Sequence, residues 1–177
     1  MKNLVVKYGM MFAAVITAVS VARAEPAIFT RGEMTIPEGV IISPDGNAYY
    51  TDISLAYDGK GALLIAGAKA NSLVMVDNVD VLVMESFPLQ VSLSVSGNLS
   101  VPCVHLLSPA VAFSNNHFSV VLAESNLGPA ESCIAVLEPF ETSVPLDVKD
   151  LPAGTYSVDV NGVETDFTFD MDNSPLN

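Results

Sequence analysis

Polar and apolar positions alternate over much of this chain. From Leu89 onward, Leu89, Val91, Leu93 and Val95 share one parity, and Gln90, Ser92, Ser94 and Ser96 the other. A period of two predicts a strand with one buried face. The same alternation places Phe118, Val120 and Leu122 on an inner face, and again Cys133, Ala135 and Leu137. Gly97-Asn98 and Asn115-Asn116 supply turn residues that tolerate positive φ, and residues 125–132 read as a loop. No stretch after the first 24 residues sustains apolar positions at i, i+3, i+4 and i+7, so no helix is expected there.

The clearest hairpin lies near the C-terminus. Tyr156, Val158 and Val160 face one way, and Ser157, Asp159 and Asn161 the other. Asn161-Gly162 is the pair that a two-residue type I′ turn favours, since both central residues need φ > 0. Val163, Thr165, Phe167, Phe169 and Met171 are expected to form the returning inner face. Just before it, Leu151, Pro152, Gly154 and Tyr156 carry the chemistry of a tyrosine corner, in which the Tyr hydroxyl bonds back to the preceding backbone. Leu151, Gly154 and Tyr156 are assigned that structural role.

Seven strand-like segments follow Val76. Their number, the corner and the cysteine pair predict an all-β chain, an antiparallel sandwich of immunoglobulin-like or fibronectin-like kind. There is no Trp, so the antibody-type core in which a Trp packs on the disulfide is excluded. Ahead of the sandwich, strands are expected near residues 34–42, 48–57 and 62–68. Turns separate them at residues 43–47 and at Asp58-Gly59-Lys60-Gly61. A three-stranded sheet alone is marginal in water, so this small sheet or hairpin should pack on the sandwich. Residues 68–80 read as the linker, with residues 73–76 partly buried.

The first residues change the expected compartment. Lys2 and Lys7 precede an apolar run, residues 10–22, and Ala22-Arg23-Ala24 has the small-x-small form of a signal-peptidase site. The run is shorter than the ~20 residues that span a bilayer. The expected organisation is a leader at 1–24, an N-terminal strand region at 25–75, a sandwich at 76–172 and a tail at 173–177. Cleavage would leave Arg31, Lys60, Lys69 and Lys149 against 20 acidic residues, a net charge of −16. Such a surface repels phosphate backbones and anionic lipids, so nucleic acid and, after cleavage, membrane are excluded as partners. In an oxidising compartment Cys103 and Cys133 are expected to pair as a disulfide.

Three pieces in order carry a resemblance: "ESFPLQVSLSVSGNL", "LEPFETSVPLDV" and "LPAGTYSVDVNGV". Over Glu85 to Asp172 the chain resembles an uncharacterised family of secreted bacterial immunoglobulin-like β-sandwich domains. The resemblance implies a β-sandwich and a secreted or periplasmic address. It implies no activity.

Candidate chemistry is sparse. His105 and His117 each sit in a strand-like segment, and His105 shares parity with Cys103, so both are expected to face inward. Nothing frames either histidine as a base. Nucleophile-elbow, zincin, P-loop and dinucleotide motifs are absent. Asp45-Gly46-Asn47 starts like a calcium loop, but Ala56 stands where the bidentate acid belongs. Glu164, Asp166, Asp170 and Asp172 form an acidic stripe that reads as protection of an edge strand. No metal ligand set, cofactor or catalytic residue is assigned. The expected function is a non-enzymatic extracytoplasmic module that binds a protein or glycan partner. Its surface would be the loops at 43–47, 108–110 and 125–132, with Leu127 and Pro129 exposed. The alternatives are an inhibitor of a secreted protease, with residues 124–132 as the inserted loop, and a weakly calcium-binding surface or adhesion protein.

Overall fold

The computed structural model describes residues 26–43, 46–86, 88–128 and 132–174. The expected leader lies outside them. The described residues form β1 (Ile28–Thr30), β2 (Glu33–Ile41), β3 (Ala48–Tyr57), β4 (Leu63–Asn71), β5 (Met75–Met84), β6 (Gln90–Leu99), β7 (Ala110–Ser114), β8 (His117–Val121), β9 (Glu138–Leu146), β10 (Gly154–Val160) and β11 (Val163–Phe169). No helix occurs among them, and so none long and apolar enough to cross a membrane.

The alternation read from β6 is the alternation observed. Val91, Leu93, Val95 and Leu99 are buried, and the serines between them are not. β6 is the middle of an antiparallel sheet ordered β5-β6-β9, where Leu93 lies opposite both Val81 and Val144. A second sheet is ordered β11-β10-β8-β7. The inner faces of the two sheets share one apolar cluster, so they stack as two layers. Phe118, Tyr156, Phe167 and Phe169 fill its aromatic part, with the Tyr156 and Phe167 rings stacked at 5.4 Å. The described residues are all-β, and the seven strands from β5 to β11 form the two layers of an immunoglobulin-like sandwich, antiparallel in all pairings but one. In the exception, β8 runs parallel to β10, with Val120 opposite Val160. Between them the chain crosses to the other sheet as β9.

Five local expectations are corrected. Gly97-Asn98 make no turn: both lie inside β6, paired with β5 on one side and β9 on the other. Residues 132–137 form no strand, and Ile134, Val136 and Leu137 are 68%, 57% and 51% exposed. No neighbouring strand offers them a ladder, so alternation alone does not make them one. His105 is exposed and so is Cys103, because the chain turns away after Leu99 and leaves both outside the sandwich. Met171 is 62% exposed, since β11 ends at Phe169. The linker shrinks to residues 72–74, because β4 runs on to Asn71 and β5 already starts at Met75.

The N-terminal strands form a separate four-stranded antiparallel sheet ordered β1-β2-β3-β4. β1 adds a strand that three residues of pattern could not announce. Pro37 and Asp52 interrupt the sheet: the β2–β3 register skips that pair, and Asp52 sits at φ 52°. On one side of the break the sheet has a base. There Tyr49 is buried with Val121 and Ala123, and Val40, Leu73, Leu107 and Ala110 pack around them. Tyr49 Oη donates to the Ser108 carbonyl at 2.9 Å, and Asn71 Nδ2 to the Glu124 carbonyl at 3.1 Å. The far half, beyond the break, leaves Phe29, Tyr57, Leu64 and Ile65 more than half exposed.

Candidate functional site

An open groove of about 720 Å³ runs where the base of the N-terminal sheet meets the outer face of the second sandwich sheet. Ile42, Ser43, Gly46 and Asn47 border it on one side. His117, Ser119, Asp159, Asn161, Gly162 and Glu164 border it on the other, with Leu73 between.

Strand register fixes the sandwich side. Asp159 lies opposite both Ser119 on β8 and Glu164 on β11, so these three side chains form one outward row. Ser157 likewise lies between His117 and Asp166 in the next row. The turn that ends the groove is held by Asn161 at φ 49° and Gly162 at φ 93°, both in the left-handed region that a type I′ turn requires. Asp159 Oδ2 accepts the Gly162 N–H at 3.0 Å. Asn161 reaches across the layer boundary: Nδ2 donates to the carbonyls of Val74 and Leu122, and Oδ1 accepts the Leu122 N–H. One side chain thus joins the hairpin, β8's exit and the short linker to the N-terminal sheet.

Two Ser–His contacts occur. His117 Nδ1 and Ser157 Oγ are 2.8 Å apart, and His105 Nδ1 and Ser125 Oγ are 3.0 Å apart. In the first, the order across the sheet is His117, Ser157, Asp166. The serine lies between the histidine and the carboxylate, whereas a relay needs the histidine in the middle. These rows offer donors and acceptors to a ligand.

The remaining assigned residues have structural positions. Cys103 and Cys133 are bonded. Tyr156 Oη donates to the Pro152 carbonyl at 2.6 Å, the contact that makes a tyrosine corner, with Leu151 packed on the core and Gly154 opening β10. Burial raises the Tyr156 phenol above its ordinary pKa, and the Asp172 carboxylate adds to that. Burial raises Tyr49 further, and the nearby Glu38 carboxylate adds to that.

Of the three expected binding loops, only residues 43–47 border the groove among the described residues. Pro44 and Asp45 of that loop lie outside them. Ser108 is taken up by Tyr49 and, at 3.5 Å, by Glu38. Ser125 holds His105, and Asn126 Nδ2 donates to the Ala70 carbonyl. Leu127 is 40% exposed; Pro129 lies outside the described residues. In the acidic stripe, Asp172 Oδ1 accepts the Ala153 N–H. Among the described residues no group of three or more His, Cys, Asp or Glu is placed to hold a metal ion.

Two polar residues escaped the sequence reading. Glu124 is 5% exposed, and its carboxylate accepts from both the N–H and the hydroxyl of Ser100. Asn173 is 1% exposed, donating to the Leu89 and Val148 carbonyls and accepting the Leu89 N–H. A lone acid after an apolar run is the only local signal for the first; the second has none.

Fold and groove together define a two-layer β-sandwich carrying an extra N-terminal sheet. Residues 93–169 match the family model described as ORF11 beta-sandwich domain. The match runs from the middle of β6 to the end of β11. It takes in His117, Ser119, Asp159, Asn161 and Glu164, and leaves out the whole N-terminal sheet. No curated protein and no solved structure matches the chain.

Proposed function

We propose that this chain is an exported, non-enzymatic interaction module of bacterial immunoglobulin-like type, which takes a protein or glycan partner in the groove between its two parts. One observation carries the reading. The groove lies at a junction between layers, where binding sites concentrate, and its lining is a set of hydrogen-bonding groups on rigid strands: Ser119, Asp159 and Glu164 in one row, with His117 beside them. Hydroxyls, carboxylates and an imidazole suit a polar ligand such as a sugar or an extended peptide. The leader-like residues 1–24 and the Cys103–Cys133 bond support export through an oxidising compartment.

The test is capture of exported proteins and cell-envelope glycans on the immobilised protein, with Ser119→Tyr as the comparison. The substitution fills the groove from a partly exposed position and leaves the core untouched. Loss of a captured partner in the variant is the expected result. A partner held equally by both proteins would move the site elsewhere.

A second reading, inhibition of a secreted protease, is favoured by the anchoring of the loop that begins at Ser125. The disulfide ties Cys133 to Cys103, and Asn126 fixes the other side of the loop to Ala70. Dose-dependent inhibition of a secreted protease would favour it; cleavage of the loop without inhibition would end it.

A further inference from the structure

The far half of the N-terminal sheet presents a row of apolar residues across all four strands. Phe29 lies opposite Met34, Met34 opposite Leu55, and Leu55 opposite Ile65. Opposed residues in a ladder share a face. Tyr57 and Leu63, the next pair, extend it. Phe29 and Ile65 are 63% and 73% exposed. A sheet with one apolar face is stable when a second layer covers it. The sandwich sheets cover each other; nothing in the chain's described residues covers this row.

We infer that the row is covered by a second copy of this chain, sheet on sheet about a two-fold axis. Area is the first argument. The six side chains leave on the order of 500 Å² open per copy. Two copies face to face would remove about 1,000 Å², the lower bound for a specific association. The second argument is charge. Residues 28–71 hold Arg31, Lys60 and Lys69 against five acids, a net −2, whereas residues 72–177 hold Lys149 against 14 acids, a net −13. Two copies repel each other strongly through their sandwiches and least through this sheet. A cationic partner would choose the sandwich instead. The third is geometry: a two-fold contact brings a patch against itself, and a row of unbranched, β-branched and aromatic apolar groups can interdigitate with its own image as facing sheets do.

Sedimentation velocity of the purified protein, from micromolar to near-millimolar concentration, tests the inference. The expected result is a monomer–dimer equilibrium that tightens with added salt, because salt screens the acidic sandwiches and leaves the apolar contact intact. Ile65→Lys should weaken association by about a hundredfold or more, since it places an unpaired charge in an apolar contact. Ile134→Lys, at an equally exposed position on the sandwich side, should leave the dimer unchanged. Three results would overturn it: a monomer at every concentration, a dimer that persists in Ile65→Lys, or a dimer that salt weakens. The groove reading stands or falls separately, because Ser119→Tyr does not touch this row.

Discussion

Asn161 holds Leu122 from both sides. Its Oδ1 accepts the Leu122 N–H at 3.1 Å and its Nδ2 donates to the Leu122 carbonyl at 2.8 Å, mimicking one rung of a ladder with a side chain. The same Nδ2 donates to Val74, so the clasp joins β8's exit to the linker of the N-terminal sheet. Asn161→Gly keeps the positive φ that the turn requires and removes only the clasp. It should cost about 3 kcal/mol, roughly one per lost bond to a partly buried backbone group. Urea denaturation measures it. A cost within about 0.5 kcal/mol would mean that water takes over all three bonds.

The two buried tyrosines set an alkaline limit. Burial raises both Tyr156 and Tyr49, with Asp172 and Glu38 respectively adding to the effect. A phenol whose folded pKa lies above its unfolded value of about 10 stays protonated longer in the folded state. Its contribution to stability is complete below about pH 10 and is lost as pH rises through the folded value. Stability should therefore be level around neutral pH and fall above about pH 10. Tyr156→Phe should cost about 1 kcal/mol at neutral pH through the lost bond to Pro152, and should flatten part of the alkaline fall. Denaturation midpoints of both proteins across the range check this; parallel curves would remove Tyr156 from the account.

How much of this was legible follows from which physics acts locally. β6, β10 and β11 were readable because one buried face imposes a period of two, and Asn161-Gly162 because a I′ turn demands positive φ twice. Residues 132–137 carry the same alternation and form no strand, since a strand needs a neighbour as well as a pattern. The parallel pairing of β8 with β10 left no trace, because alternation is the same in either direction. The groove was invisible for a different reason: Ser43 and Asn47 come from the turn between β2 and β3, His117 and Asp159 from strands of the sandwich, and no spacing in the chain encodes their meeting. Asn161 was seen as a turn former; its grip on Leu122 depends on a partner 39 residues away.

The Cys103–Cys133 bond closes a separation of 30 residues. In the chain-entropy account, a loop of that length is worth about 3–4 kcal/mol. Both cysteines lie outside the sandwich core, so replacing them by Ala leaves the packing intact. The double variant should unfold at lower urea by that amount while keeping the native strand signal in circular dichroism. It should also loosen the loop between Ser125 and Cys133, read as faster proteolytic nicking there than in the bonded protein. Unchanged nicking would show that the Asn126–Ala70 and Ser125–His105 contacts suffice to hold the loop.

Gly97 is the position in β6 where no side chain fits. A Cβ there would collide with the Met75 carbonyl oxygen and come within 3.0 Å of both Val76 Cα and the Phe140 ring. Two of these three are backbone atoms of β5, and they sit where the β5–β6 register slips between Val76 and Asn78. The extra residue, Asp77, is tied back by Asn98 Nδ2 to its carboxylate at 2.6 Å. Relief would require β5 to move off β6 and break the ladder that carries the core. Gly97→Ala should therefore cost about 3 kcal/mol or more, at the top of the range for overpacking. Gly67→Ala in β4 is the comparison: its Cβ would meet only the Ser54 hydroxyl at 3.2 Å, a side chain that can rotate away. That variant should stay within about 1 kcal/mol of the parent. Urea denaturation of the pair checks the order, and a Gly97→Ala protein as stable as Gly67→Ala would show that β5 yields at its bulge without disturbing the sandwich.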